Sequence, residues 1–374
     1  MTRRRNVLLY LLFVFITFVF GMSVWDGNFL RSYYDSSKDY YDHEKEMMSE
    51  TQFQLIKAGI QAGSSHNMQP WKIRIHDQKS FSLHADMEKT LPVIDPQNKQ
   101  LLMSQGTFIG LVKKAAEEAD VELQVTYHAL NMSENFPLIA TFTILQDKNS
   151  KIDAVTSATR GTFSEDTAFD LEKATDSIYN QLPGYEVVWI EGEKLGRFQY
   201  YLKKGSSIEA ENQQAMEELL DIFRFTKWEK NKYRYGLSLN TISPPVRTMI
   251  EPIVGVTSGW KSFGHSSMAT FFKRLDGEKS YLVLSVRNPQ LSDYIQVGEA
   301  FSMLSLNMEG YASRPAVQLL QPLSGMQEVY NDMQEEFDIK GEVMMIIGFT
   351  KITDSYHESV RHQVSDLIMN KNSY

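Results

Sequence analysis

The chain contains no cysteine among its 374 residues, and this absence excludes several kinds of chemistry. Without thiols there can be no disulfide, no thiolate nucleophile and no cysteine-ligated zinc or iron–sulfur site. Positive charge is also in deficit, because the chain has 38 lysine and arginine residues but 47 aspartate and glutamate residues, which gives a net charge of −9. We therefore do not expect a basic surface that binds nucleic acid.

Several signatures of nucleotide and metal chemistry are also missing. There is no GxGxxG run after a predicted strand and no P-loop lysine motif. The histidines of "HESVRH", His357 and His362, would point about 140° apart on a helix, whereas a zinc helix needs them on one face. Ser65 and His66 are chain neighbours that face apart, so they do not predict a hydrolase triad. We predict no metal ligands and name no catalytic residue.

One long apolar run stands at the N-terminus. The arginines of "RRR" at residues 3–5 precede an uncharged stretch over residues 6–25, and Asp26 follows. A helix over residues 6–25 is roughly 30 Å long, the thickness of a bilayer core, and the flanking arginines favour a cytoplasmic N-terminus. We therefore predict a single-pass anchor over residues 1–25 in the cell membrane, with the lipid bilayer as a partner and the folded part outside the cytoplasm.

The alternative for this segment is a cleavable signal peptide, with an apolar region over residues 7–20 and a cleavage site at "GMS". "TRRRNVL" also weakly resembles a twin-arginine signal. The anchor is preferred because apolar residues continue to Trp25. The polar, tyrosine-rich residues 26–48 that follow predict a stalk outside the membrane.

The remainder of the chain predicts an α+β fold, because long helical patterns are mixed with strand pairs. A capping box at Ser49–Gln52 begins a first helix, and "WKIRI" and "FSLHA" alternate as a β-hairpin. The further predicted helices cover residues 106–119, 171–182, 208–230 and 291–309, and the further strands cover residues 121–127, 138–145, 185–190, 280–286 and 343–350.

A faint internal repeat runs through this pattern. "GTFIGLVKKAAEEADV" (residues 106–121) parallels "GEAFSMLSLNMEGYAS" (residues 298–313), and "NMQPW" (residues 67–71) parallels "LLQPL" (residues 319–323). Together with the chain length, the parallels favour a duplicated fold. We divide it into a first half over residues 49–155 and a second half over residues 156–374.

The loop "GSSHNMQPWKI" (residues 63–73) crowds short hydrogen-bonding side chains between the first helix and the hairpin. On composition alone it is an ordinary polar turn, since serine and asparagine are common turn residues. The same group could also hydrogen-bond a phosphate, a ribityl chain or the edge of a ring. The candidate residues are Ser64, Ser65, His66, Asn67 and Gln69.

"AGIQAGSSHNMQPWKIRI" resembles the loop of the nitroreductase superfamily, in which a Ser-Ser-x-Asn-x-Gln-Pro-Trp run contacts FMN. The loop has a histidine before the asparagine, and in this it resembles the Acg-like branch of the superfamily, in which two nitroreductase units are fused in one chain. "LPVIDPQNKQLLMSQGTFIGLVKKAAEEADVE", "FRFTKWEKNKYRYGLSL" and "VRHQVSDLI" resemble further segments of that branch. The resemblance covers roughly residues 50–370.

The resemblance implies a nitroreductase-like fold of two tandem units that form a pseudo-dimer around one flavin site, in a monomeric chain. FMN would contact the five loop residues in the first half. In the second half Arg160 and Thr162 match the segment that holds the FMN phosphate, but the second arginine of that segment is missing near Ser164 and Glu165. Arg361 is either its replacement or an ordinary surface arginine.

The function that this resemblance implies is a membrane-anchored FMN oxidoreductase. It would reduce nitro compounds, quinones or similar electron-poor acceptors, with a quinol, NAD(P)H or a redox partner as electron donor. One alternative is a flavin-binding or flavin-sequestering protein without turnover, closed by a lid over residues 223–256 that carries Trp228, Tyr233 and Tyr235. Tyr235 stands where the branch has an acidic residue. Another alternative is an interaction protein that has lost flavin.

Overall fold

Two four-stranded antiparallel sheets form the frame of the molecule, which confirms the predicted α+β class. The computed structural model describes residues 2–26, 47–147, 175–176, 178, 180–238, 253, 256, 259–307, 311–351 and 359–369. The first sheet contains β1 (Trp71–Ile75), β2 (Ser80–Ala85), β3 (Val121–Tyr127) and β4 (Leu138–Asp147). The second contains β5 (Glu186–Ile190), β6 (Ser280–Val286), β7 (Tyr311–Pro315) and β8 (Glu342–Lys351).

The two sheets have the same strand order, β1-β2-β4-β3 in the first and β5-β6-β8-β7 in the second. In each sheet a long helix connects the second strand to the third. The helices in chain order are α1 (Thr2–Asp26), α2 (Glu50–Ile60), α3 (Lys99–Glu118), α4 (Leu195–Glu211), α5 (Gln213–Asp221), α6 (Lys227–Tyr233), α7 (Trp260–Gly277), α8 (Leu291–Asn307), α9 (Met326–Glu336) and α10 (Val364–Leu367). The connecting helices are therefore α3 and α8.

Helices α3 and α8 cross in close contact at glycines. A Cβ atom on Gly106 of α3 would lie 1.9 Å from the carbonyl oxygen of Ile295, and one on Gly298 of α8 would lie 2.0 Å from that of Met103. Gly106 and Gly298 begin the two copies of the predicted repeat, and Met103 and Ile295 each lie three residues earlier. Only glycine allows two backbones to approach this closely, and here the approach is reciprocal.

The core has a central part between the sheets and an outer part behind the second sheet. Strand β6 contributes to both: Leu282 and Leu284 belong to the central cluster, whereas Tyr281 and Val283 belong to the outer one. This explains why "SYLVLSV" is apolar almost throughout, since both of its faces are covered. In β1 Trp71 and Ile73 are fully buried but Lys72 and Arg74 are not, as the predicted alternation requires.

The prediction of one long helix over residues 208–230 is wrong, because the structure has α4, α5 and α6 in this region. Asn212 interrupts the helix with an extended backbone (ψ 109°), and its Oδ1 accepts from Ala215 N at 2.9 Å to cap α5. Thr226 and Glu229 form a capping box that begins α6. Asparagine and threonine are more favourable at helix caps than in helix interiors, and this local preference determines where α5 and α6 begin.

Other differences concern elements and their ends. Helices α7 and α9 and strand β7 were not predicted, and α3 begins at Lys99 rather than at Gly106. The two Gln-Pro runs are not equivalent, because Gln69 precedes the first strand of its sheet whereas Gln321 lies between β7 and β8. Half of the predicted helix over residues 171–182 and most of the stalk over residues 26–48 lie outside the described residues.

Helix α1 covers the apolar N-terminal run, and its described side chains are mostly exposed, including Phe13, Phe15 and Phe20. A search limited to the described residues finds no helix with the length and apolar content needed to cross a membrane. The anchor therefore stays a prediction. The end of α1 contacts the start of α6, where Trp228 Nε1 donates to the carbonyl of Val24 at 3.3 Å.

Candidate functional site

Helix α3 holds the polar loop that follows α2. Thr107 Oγ1 donates to the carbonyl of Gly63 at 2.6 Å, and the backbone N–H of Ser65 donates to Ser104 Oγ at 3.0 Å. Trp71 Nε1 donates to the carbonyl of Ser104 at 2.8 Å, which anchors the far end of the loop. Because Trp71 is fully buried, the loop is fixed at both ends on a rigid helix.

The loop backbone has an unusual conformation. His66, Asn67 and Gln69 have φ values of 50°, 56° and 49°, in the left-handed region that residues other than glycine seldom adopt. Gln69 N donates to Ser64 Oγ at 2.9 Å, which helps to close this tight turn. Strained backbone of this kind is concentrated at ligand sites, where surrounding contacts hold it in place. The ordinary-turn interpretation does not explain why three such residues occur together.

A cavity of about 430 Å³ opens beside this loop, within the range of roughly 300–1,000 Å³ that is typical of ligand pockets. The loop and α3 form one wall, α8 and β7 form another, and the C-terminal segment closes one end. The cavity therefore lies between elements of the two predicted halves of the chain. Its polar lining residues are Gln61, Ser64, Ser65, His66, Gln100, Ser104, Thr107, Ser302, Ser305, Ser313 and Arg361, and its large apolar ones include Met103, Leu111, Phe301, Leu306 and Met345.

A hydrogen-bond chain fixes His66 in this wall. Ser65 Oγ donates to Gln100 Oε1 at 2.6 Å and lies 2.8 Å from His66 Nδ1, so the prediction that these two chain neighbours face apart is wrong. Since the single hydroxyl proton goes to Gln100, the Ser65 oxygen accepts from His66 Nδ1–H, and Nε2 is the acceptor nitrogen of the ring. Burial lowers the pKa of His66 to about 4, so the imidazole is neutral at pH 7.

The pKa of His66 predicts a specific dependence of stability on pH. The unfolded histidine titrates near 6.5 and the folded one near 4, so the unfolded state binds the extra proton in this interval. Stability contributed by neutral His66 is present above pH 6.5 and is lost as the pH falls towards 4. Relative to the His66→Gln variant, we expect the wild type to lose about 1–2 kcal/mol of unfolding free energy between pH 7 and 4.5. This is less than the full pKa difference would give, because the residue is only partly buried and solvent screens the effect.

Urea unfolding at several pH values, followed for both proteins, checks this expectation. Using the difference between the two proteins cancels the opposing contribution of buried carboxyl groups such as Asp95, whose pKa burial raises to about 6. A difference that stays constant between pH 7 and 4.5 would show that His66 is solvated in the folded protein.

Arg361 lies at the same cavity, and its guanidinium is buried rather than spread on the surface. Its Nη1 donates to Asn67 Oδ1 at 2.6 Å and to the carbonyl of Val360 at 3.1 Å. The residue is only 8% exposed, which favours the phosphate role over that of an ordinary surface arginine. Asn67 thus orients the one cationic side chain among the described lining residues.

Gln69 holds the C-terminal segment and the start of the predicted lid. Its Nε2 donates to the carbonyls of Arg234 and Val360 at 2.9 and 3.1 Å, and its Oε1 accepts from His362 N at 2.9 Å. Asn67 joins the same segments, since its Nδ2 donates to the carbonyl of Gly236 at 3.1 Å. The part of the predicted lid around residues 234–236 is therefore bound to the loop.

The structure thus brings most of the predicted residues together, with two kinds of role. Ser64, Ser65, His66 and Arg361 line the cavity, whereas Asn67 and Gln69 lie behind them and connect the loop to other segments. Arg160 and Thr162 lie outside the described residues. The sequence analysis missed Gln100, Ser104 and Thr107, although their spacing of four and three places polar groups on one helical face.

The lining suits FMN in three respects. Apolar side chains suit the flat ring system, hydroxyl groups suit the ribityl chain, and Arg361 suits the phosphate. No carboxylate is present among the described lining residues to repel that phosphate. Ser302 is 6% exposed, and its Oγ, which has no hydrogen-bond partner in the described part of the chain, packs against Gly110 of α3.

Comparison with models of known protein families, and with curated protein sequences, finds no match to this chain. Within the described residues there is also no group of three or more histidine, aspartate or glutamate side chains that could hold a metal ion.

Proposed function

We propose that this protein is an FMN-dependent oxidoreductase of nitroreductase type, built from two tandem units around one flavin site. The observation that carries the proposal is the cavity between elements of the two halves of the chain, where the strained loop faces Arg361. The repeated strand order and the reciprocal contact of Gly106 and Gly298 support the tandem arrangement. The sequence resemblance to the Acg-like branch supplies the identity of the cofactor.

The protein's part in such a reaction is to bind and orient. Bound FMN would supply the redox chemistry, accepting electrons from a donor and passing them to an electron-poor acceptor such as a nitro compound or quinone. Arg361, positioned by Asn67, would hold the phosphate, while the hydroxyl groups of α3 and α8 would contact the ribityl chain. Neutral His66 would place a hydrogen-bond acceptor, Nε2, in the wall without adding charge.

We place the folded part outside the cytoplasm, tethered by residues 1–25. The exposed apolar side chains of α1 support this arrangement, because a large uncovered apolar surface marks a site of membrane or protein contact. A quinol or a redox partner then suits the location better than free NAD(P)H as electron donor.

A flavin-sequestering protein without turnover is the second candidate function. Its support is the bond between lid and loop: Gly236 N donates to the carbonyl of Asn67 at 2.9 Å, and this contact is reinforced by the Asn67 and Gln69 side chains. Iodide quenching of bound-flavin fluorescence separates the two functions, since a sequestered flavin would be protected and an active one accessible. An interaction protein without flavin would bind no FMN at all.

Two substitutions test the flavin site. Asn67→Asp would place a carboxylate against Arg361 and so weaken its hold on a phosphate, and Arg160→Ala would remove a cation that the resemblance assigns to the same phosphate. We expect each to raise the Kd for FMN by roughly 10- to 100-fold, the effect of losing one charged hydrogen-bonding group. Fluorescence titration of the apoprotein with FMN measures both constants.

Arg197→Ala provides a matched control, because Arg197 is an exposed arginine that pairs with Glu336 and is not among the residues lining the cavity. Its FMN affinity should equal that of the wild type. Equal affinity in all four proteins would mean that FMN, if it binds, binds elsewhere.

A further inference from the structure

A second cavity, of about 580 Å³, lies next to the flavin cavity. Gln100, Met103 and Val317 line both, so these side chains form the wall between them. The other walls of the second cavity come from α9, the start of β8 and the segment around Gln321. No step of the proposed function above uses this space.

The charged groups of the second cavity already have partners. Lys99 Nζ lies 2.5 Å from Glu342 Oε1, which also accepts from Tyr294 Oη at 2.6 Å. Asp95 Oδ2 accepts from Leu101 N at 3.0 Å and so occupies the N-terminus of α3, where an anion would otherwise bind. The cavity therefore offers no uncompensated positive charge to an anionic ligand.

Gln321, Tyr330 and Gln100 each offer a neutral hydrogen-bonding group to the cavity. Gln321 is 2% exposed, its Nε2 donates to Glu209 Oε1 at 2.6 Å, and its Oε1 has no partner among the described residues. Tyr330 Oη accepts from Val343 N at 2.9 Å, which leaves its own hydroxyl proton to donate. The side-chain amide of Gln100 can donate as well. A buried acceptor without a partner is costly unless a ligand satisfies it.

Apolar and aromatic side chains form one part of the lining, including Ile94, Leu320, Leu323 and Met326 beside the rings of Tyr294 and Tyr330, and further polar residues, Gln97, Gln327, Asn331 and Gln334, line the rest. We propose that this cavity binds a small neutral aromatic molecule that carries hydroxyl groups, of the dihydroxybenzene class. The hydroxyl groups of such a molecule would donate to Gln321 Oε1 or accept from Tyr330, while the ring lies against the apolar part of the wall. That such a molecule is a substrate beside the flavin rests on the proposed function; its binding does not.

Isothermal titration of the full-length protein in detergent tests this binding. Resorcinol is the probe, because it is a dihydroxybenzene that does not form a quinone readily, and benzoate is the anionic comparison of similar size. We expect resorcinol to bind with a Kd below about 1 mM and benzoate at least tenfold more weakly. Resorcinol binding should persist after saturation with FMN, because the two cavities are separate.

Gln321→Leu and Tyr330→Phe should each weaken resorcinol binding about tenfold. Tyr330→Phe is the milder change and keeps the test valid if Gln321→Leu, which removes the partner of Glu209, impairs folding. Glu328→Gln changes an exposed residue of the same helix outside the lining and should leave binding unchanged. The proposal is overturned if resorcinol does not bind, if benzoate binds equally well, if FMN displaces resorcinol, or if both lining variants bind like the wild type. A protein that binds resorcinol but no FMN would refute the flavin function alone.

Discussion

Replacing Gly106 with alanine is expected to destabilise the protein by about 3 kcal/mol or more, at the upper end of the usual cost of overpacking. The added methyl group would lie 1.9 Å from the carbonyl oxygen of Ile295, and backbone cannot move aside as a flexible side chain can. Helices α3 and α8 would have to separate, and the cavity that both helices line would change shape. Gly298→Ala should have a similar effect, since its methyl group would meet the carbonyl of Met103.

Urea unfolding followed by circular dichroism measures these changes. Gly196→Ala is the matched control, because Gly196 is also helical but has no atom within 4 Å of an added Cβ. Alanine there should be neutral or stabilise by up to about 1 kcal/mol, as expected from helix propensity. If Gly106→Ala and Gly298→Ala behave like Gly196→Ala, the close crossing of the two helices does not exist in solution.

Replacing Arg361 with glutamine is expected to weaken FMN binding about 100-fold, equivalent to about 2.7 kcal/mol, while leaving riboflavin binding within about threefold. Riboflavin has the same ring and ribityl chain as FMN but no phosphate. A loss confined to FMN therefore reports the contact between the guanidinium and the phosphate. A general loss of shape in the cavity would weaken both ligands.

Arg361→Lys is the informative companion variant. Lysine keeps the charge but cannot reproduce the planar donor arrangement that contacts Asn67, so we expect FMN affinity between those of the wild type and the glutamine variant. Tryptophan fluorescence or flavin fluorescence during titration measures all three constants. Equal losses for riboflavin and FMN in Arg361→Gln would assign Arg361 to the architecture of the loop instead.

The sequence predicted those parts of the structure that depend on local pattern. Alternation in "WKIRI" and the continuous apolar run of "SYLVLSV" identified a half-covered and a doubly covered strand. The repeat beginning at Gly106 and Gly298 identified the two connecting helices, although their reciprocal crossing became visible only in three dimensions. The sequence analysis did not predict the break at Asn212, because the helical spacing of apolar residues continues past it. A single capping side chain, that of Asn212, separates α4 from α5.

The candidate site shows the same division. The polar loop could be recognised because its residues are contiguous, and Arg361 was named with it. The bond from Arg361 to Asn67 joins residues 294 positions apart, and the bond from Gln69 to Arg234 spans 165 positions. Such distant pairings leave no trace in local spacing. Consequently the sequence predicted that Asn67 and Gln69 would contact a ligand, whereas in the structure they hydrogen-bond to the segments that surround the cavity.

The most direct test of the central claim is the visible absorption spectrum of the purified full-length protein, recorded after incubation with FMN and removal of free ligand. The proposed function predicts flavin absorption bands that remain with the protein at one FMN per chain. A folded protein that retains no flavin would contradict it, and so would retention of two flavins per chain, because the proposed arrangement contains one flavin cavity.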